Sequence, residues 1–117
     1  MSRILVVEDE AIPAMHLAMQ LNQWGHEVIG PVNSASGAIE LAMRERPDLI
    51  IMDVVLSGPM NGVAATEEIQ QALGTPVLFL TAVALPEPAA RAPCPRAVVG
   101  KPYETTALRA KLESLLQ

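Results

Sequence analysis

The sequence predicts an α/β fold in which a five-stranded, doubly wound parallel sheet is covered by helices on both faces. Three observations carry that expectation. Short apolar runs alternate with longer segments of helical periodicity five times along the 117 residues. Two of the runs, Leu49-Ile50-Ile51-Met52 and Val77-Leu78-Phe79-Leu80, are continuous rather than alternating, as strands buried on both faces are. Most of the runs also end in a charged or hydroxyl residue, at what would be the carboxyl edge of one sheet, where open α/β folds place their sites.

Taken in order, Arg3 to Val7 is the first strand, and it ends in Glu8, Asp9 and Glu10. From Ile12 to Trp24 the apolar residues recur at helical spacing, with Ile12, Met15 and Met19 in one row and Leu17, Leu21 and Trp24 in another. Pro13 is tolerated only in the first turn, and Gly25 stops the helix. Val28 and Ile29 form a short second strand closed by Gly30 and Pro31. Asn33 or Ser34 caps a helix carrying Ala38, Ile39, Leu41, Ala42 and Met43, which ends before Pro47. The third strand delivers Asp53, and the turn-rich stretch from Ser57 to Gly62 leads into a helix from Val63 to Leu73, stopped by Gly74.

The fourth strand, Val77 to Leu80, ends in Thr81. Beyond it Pro86, Pro88, Pro93 and Pro95 leave at most a turn or two of helix around Glu87 to Ala92, so the fourth helix is expected to be shortened or broken. Ala97-Val98-Val99 is the last strand, followed by Gly100 and Lys101, and the final helix runs from about Thr105 to Leu116 with Leu108, Leu112, Leu115 and Leu116 on one face.

Composition bounds the function. The length suits one domain over residues 1–117 with a single core. No apolar stretch approaches the roughly 18 residues of a membrane span, and no secretory signal opens the chain, so a cytoplasmic protein without membrane insertion is expected. The single cysteine, Cys94, excludes an internal disulfide or a thiolate metal cluster and is read as incidental. A net charge of −5 argues against a nucleic-acid surface. His16 and His26 stand alone, which suits surface or packing roles.

The strand ends then assemble a site: Glu8 and Asp9 from the first, Asp53 from the third, Thr81 from the fourth and Lys101 from the fifth. Clustered carboxylates repel and need a cation. Hard oxygen donors without His or Cys favour Mg2+. Lys101 adds a positive charge toward a phosphate-like oxygen, and Thr81 can donate a hydrogen bond to the same group. An Asp carboxylate accepts a phosphoryl group when metal and lysine neutralise the developing charge, so the expected chemistry is an aspartyl phosphate on Asp53.

On these residues the sequence resembles a response-regulator receiver domain of two-component signalling. The resemblance rests on Glu8-Asp9 after Ile-Leu-Val-Val, Asp53 after Leu-Ile-Ile-Met, Met60-Asn61-Gly62, Leu80-Thr81-Ala82 and Lys101-Pro102-Tyr103, over essentially the whole length. It implies the flavodoxin-like strand order 2-1-3-4-5. It further implies that Asp53 takes a phosphoryl group from a histidine of a sensor histidine kinase or histidine phosphotransfer protein. Asp9, Asp53 and the backbone carbonyl of Val55 would ligate Mg2+, with Glu8 helping through water. Thr81 and Lys101 would contact the phosphoryl oxygens, and the Lys101-Pro102 bond would be cis. Such a chain assists its own phosphorylation, is not a turnover enzyme, and signals through contacts with a downstream protein.

The sequence departs from the family at Val98, where receivers commonly carry an aromatic switch. Tyr103 is the nearest aromatic, with a packing role expected. With the proline-rich segment, this points to an altered output face. Val55 and Val83 cannot hydrogen-bond an attacking water, which predicts slow loss of phosphate. Ending soon after the final helix, the chain is expected to act by contact if this is its natural length. An aspartate-nucleophile phosphatase would need a second acid where Val55 stands. A nucleotide carrier would meet the repulsion of Glu8-Asp9-Glu10. The remaining alternative is a receiver-fold interaction module that works without phosphorylation.

Overall fold

The computed structural model describes residues 1–56, 58, 60–83 and 95–117. Strands β1 (Arg3–Val7), β2 (Glu27–Val32), β3 (Leu49–Met52), β4 (Val77–Thr81) and β5 (Arg96–Gly100) form one sheet. All pairs are parallel, in the order β2-β1-β3-β4-β5. The described helices are α1 (Ala11–Gln23), α2 (Ala35–Glu45), α3 (Gly62–Leu73) and α4 (Thr105–Leu116). The expected shortened or broken helix between β4 and β5, and Cys94 with it, lie outside the described residues.

Side chains along a strand alternate between faces, so each continuous apolar run supplies both layers of core. Leu5, Val7, Ile50, Met52, Val77 and Phe79 pack on one face against Ala35, Ala38 and Ala42 of α2 and Ala65 and Ile69 of α3. Ile4, Val6, Leu49, Ile51, Leu78 and Leu80 pack on the other against Leu17 and Leu21 of α1 and Leu108 and Leu112 of α4. Each fully buried Leu, Ile or Phe of this kind contributes about 1.5–3 kcal/mol. Because β1, β3 and β4 are the inner strands, they carry the unbroken runs.

Local signals set the helix ends. Ser34 caps α2 by accepting a hydrogen bond from the Gly37 N–H, and Asn61 caps α3 by accepting from Ala64. Gly74 closes α3 in the left-handed conformation that glycine adopts without strain. Two departures from the sequence reading stand out. The second strand does not stop at Gly30; it runs to Val32 through a cis Gly30-Pro31 bond and an irregularity in its pairing with β1, as an edge strand can. Of the two apolar rows on α1, only that of Leu17 and Leu21 enters the core, while Ile12, Met15 and Met19 are exposed.

The amino edge of the sheet is tied by polar contacts. The Arg3 guanidinium donates to Glu27 at 2.8 Å, to the Glu45 carboxylate at 2.8 Å and to the Glu45 carbonyl at 2.6 Å, while the Arg3 N–H donates to Asp48 at 2.7 Å. Buried Gln70 of α3 donates to the carbonyls of Thr75 and Pro95 and accepts from Arg96, at 2.9, 3.0 and 2.8 Å. His26 accepts from the Ser2 N–H, a packing role, and His16 is exposed. No helix among the described residues is long and apolar enough to cross a membrane.

Candidate functional site

Register brings the acids together. Val7 pairs with Met52, so the residues that follow them, Glu8 and Asp53, leave adjacent strands side by side. Their backbones are fixed by the Asp53 N–H donating to the Val7 carbonyl and the Glu8 N–H donating to the Val32 carbonyl, at 3.0 and 2.9 Å. Carboxylate oxygens of Glu8, Asp9 and Asp53 lie within 4.8 Å of one another. Glu8 and Asp53 are 6% and 7% exposed, which keeps their repulsion poorly screened.

Lys101 comes from the far side of the same edge. Thr81 pairs with Gly100, and the Lys101 N–H donates to the Thr81 carbonyl at 2.7 Å. The ammonium Nζ lies 2.7 Å from Glu8 Oε1 and 3.4 Å from Asp53 Oδ2. Burial opposes the charge on Lys101, but the hydrogen bond it donates to Glu8 and the charges of Asp53 and Glu8 outweigh it and raise its pKa. The lysine therefore stays cationic.

Glu8 behaves differently. Burial, followed by the closeness and charge of the Asp53 carboxylate, pushes its carboxyl up to about 7, although Lys101 pulls the other way. A 2.7 Å ion pair that fails to hold its acid down reflects one lysine serving more than one carboxylate. Glu8 Oε2 is buried without a hydrogen-bond partner among the described residues. That orphaned oxygen, together with a donor set made of carboxylates, fits a hard divalent cation such as Mg2+.

The remaining expected residues surround this cluster. The Val55 N–H donates to Asp53 Oδ1 at 3.2 Å, while its side chain is exposed. Buried Thr81 accepts from the Val83 N–H at 3.1 Å through Oγ1, which leaves the hydroxyl proton to donate elsewhere. The structure thus gathers Glu8, Asp9, Asp53 and Lys101, with Thr81 at the next strand end and Val55 in the loop after Asp53. The Lys101-Pro102 bond is cis. Tyr103 packs against the core layer of Leu108 and Leu112, and Val98 against the opposite layer.

One contributor has no reactive group. Gly62 begins α3 and donates its N–H to the Val54 carbonyl at 2.9 Å, and a Cβ built on it would collide with the Asp53 carbonyl. The sequence signal was Asn61-Gly62, a cap followed by a residue without a side chain, which reads as a turn until the close approach is seen.

Residues 4–113 match the response regulator receiver domain family. Transcriptional regulatory protein PdtaR of Mycobacterium tuberculosis is 40% identical over 80 residues, covering 68% of this chain and 38% of that protein. Phyllosphere-induced regulator PhyR of Methylorubrum extorquens is 29% identical over 116 residues, covering 98% of this chain and 43% of that protein. The matched stretch is thus less than half the length of either relative. The signal receiver domain of a modulated diguanylate cyclase from Desulfovibrio desulfuricans superposes with a TM-score of 0.88 at 26% identity, covering 99% of this chain and 94% of the other. Family match, sheet order and acidic edge agree: the chain belongs to the response regulator receiver domains of two-component signalling, a family of signalling regulators rather than turnover enzymes.

Proposed function

We propose that residues 1–117 work as one phosphoaccepting receiver domain in which Asp53 takes a phosphoryl group from a histidine of a sensor kinase or histidine phosphotransfer protein. The observation that carries this reading is the cluster of Glu8, Asp9 and Asp53 with Lys101 Nζ 3.4 Å from Asp53 Oδ2. One Asp53 oxygen attacks phosphorus as the P–N bond to the donor imidazole breaks, and the imidazole takes up a proton as it leaves. Lys101 offers a point charge to a phosphoryl oxygen, and the Thr81 hydroxyl donates a hydrogen bond to another. Glu8, Asp9, Asp53 and the Val55 carbonyl would hold Mg2+. When bound, that ion supplies charge neutralisation for the phosphoryl oxygens.

Phosphorylation then shifts the balance between two conformations and so changes contacts with a downstream protein partner. A cytoplasmic setting suits this chemistry. The test is the intact mass after incubation with acetyl phosphate. One added phosphoryl group is expected in the native protein with Mg2+, and none in Asp53→Asn or without Mg2+. Folded native protein that gains no mass with Mg2+ present would overturn the reading.

A further inference from the structure

The charged cluster is one end of a larger space. A cavity of about 330 Å³ runs from Asp53 and Lys101 between α1 and the segment after β5. Away from the charged end its walls are mostly apolar, with Pro13 and Leu17 on the α1 side and Leu80 and Tyr103 on the other, although His16 and Glu10 line it too. The phosphoryl chemistry proposed above uses only the charged end. Nothing in that chemistry calls for an apolar chamber beside the acids.

A cavity of roughly 150 Å³ with apolar walls is enough to hold benzene. The space here is larger than a methyl group could fill, and ligand sites of this kind combine apolar walls with a few convergent polar groups. A phosphodonor with its phosphoryl group at Asp53 would lie at the mouth of this chamber, where its organic part would shed water against the accessible apolar surface of Pro13 and Tyr103. From this geometry we infer that the site discriminates among small phosphodonors and favours acyl phosphates with a planar, apolar body over acetyl phosphate. The inference rests on Asp53 being the phosphoacceptor. In the transfer, an Asp53 oxygen forms the new O–P bond, the P–O bond to the acyl group breaks with its electron pair, and the carboxylate departs without needing a proton.

The experiment compares benzoyl phosphate with acetyl phosphate as donors to the full chain with Mg2+, reading the second-order rate of mass gain. Benzoate and acetate are comparable leaving groups, so a rate difference reports recognition. Benzoyl phosphate is expected to react about tenfold faster, the gain from burying the equivalent of two methylenes. His16→Trp, in the chamber wall but outside the reacting groups, should narrow the chamber and remove most of that advantage, read as the ratio of the two donors' rates in the same protein. His16→Ala should keep the advantage. Equal rates for the two donors would overturn the inference and leave the phosphoacceptor reading intact, and so would a benzoyl preference insensitive to His16→Trp. No adduct from either donor would instead overturn the phosphoacceptor reading itself.

Discussion

At the amino edge of the sheet Arg3 meets Glu27 and Glu45, whereas at the carboxyl edge Glu8, Asp9 and Asp53 gather around Lys101. Both clusters join several strands and helices through polar side chains. The amino edge has its hydrogen bonds satisfied: its guanidinium reaches two carboxylates, and the amide of Gln70 donates to two carbonyls while accepting from Arg96. The carboxyl edge does not, since Glu8 Oε2 has no partner among the described residues and the Glu8 carboxyl is pushed up to about 7 by burial and by Asp53. The difference teaches that one fold uses the same residue types for two ends. Satisfied hydrogen bonds hold strands together at one edge, and the unsatisfied buried carboxylate at the other suits the cation and phosphoryl group of the proposed function.

That contrast can be broken at its strongest point by Gln70→Leu. The substitution leaves the Thr75 carbonyl without the Gln70 donor, takes one of two donors from the Pro95 carbonyl and one acceptor from Arg96, and is expected to cost about 1–3 kcal/mol. The urea midpoint at unchanged m-value measures it, and a loss below about 0.5 kcal/mol would show that the amino edge is not held by this amide. Phosphorylation by acetyl phosphate should persist wherever the variant is folded. Arg3→Ala sharpens the comparison with a smaller effect, because its ion pairs are partly exposed and screened. Its destabilisation should be less than that of Gln70→Leu and should shrink further at high salt; an effect equal to that of Gln70→Leu would contradict this ranking.

Much of the carboxyl edge was legible because each candidate site residue follows an apolar run directly or within two positions. Glu8, Asp53, Thr81 and Lys101 could be placed on one edge without knowing any contact, and α4 from Thr105 to Leu116 was readable from its leucine spacing. What stayed hidden depends on three-dimensional register. Gln70 lies in the polar stretch Glu67-Glu68-Ile69-Gln70-Gln71, and only the packing of α3 distinguishes it as the buried one. The closer contact of Lys101 with Glu8 than with Asp53 likewise follows from side-chain reach across strands. Ile12, Met15 and Met19 looked as suited to a core as Leu17 and Leu21, since periodicity locates two rows without saying which one meets the sheet. The Gly30-Pro31 pair reads as a strand end, and the edge position of β2 lets the strand continue past it.

The central claim, that the carboxyl edge stores charge conflict which a cation relieves, is tested most directly by urea unfolding of the native protein and Glu8→Gln as a function of pH, without and with Mg2+. The Glu8 carboxyl holds its proton up to about 7 in the fold, against an ordinary value of 4.5. The folded state therefore binds the proton more tightly, and the stability linked to Glu8 is full below about 4.5 and lost as pH rises through about 7. The account predicts that metal-free native protein loses stability across this range, that Glu8→Gln loses less, and that Mg2+ restores the native protein on the alkaline side by binding the folded state. Parallel pH profiles for the two proteins, with no stabilisation by Mg2+, would contradict it.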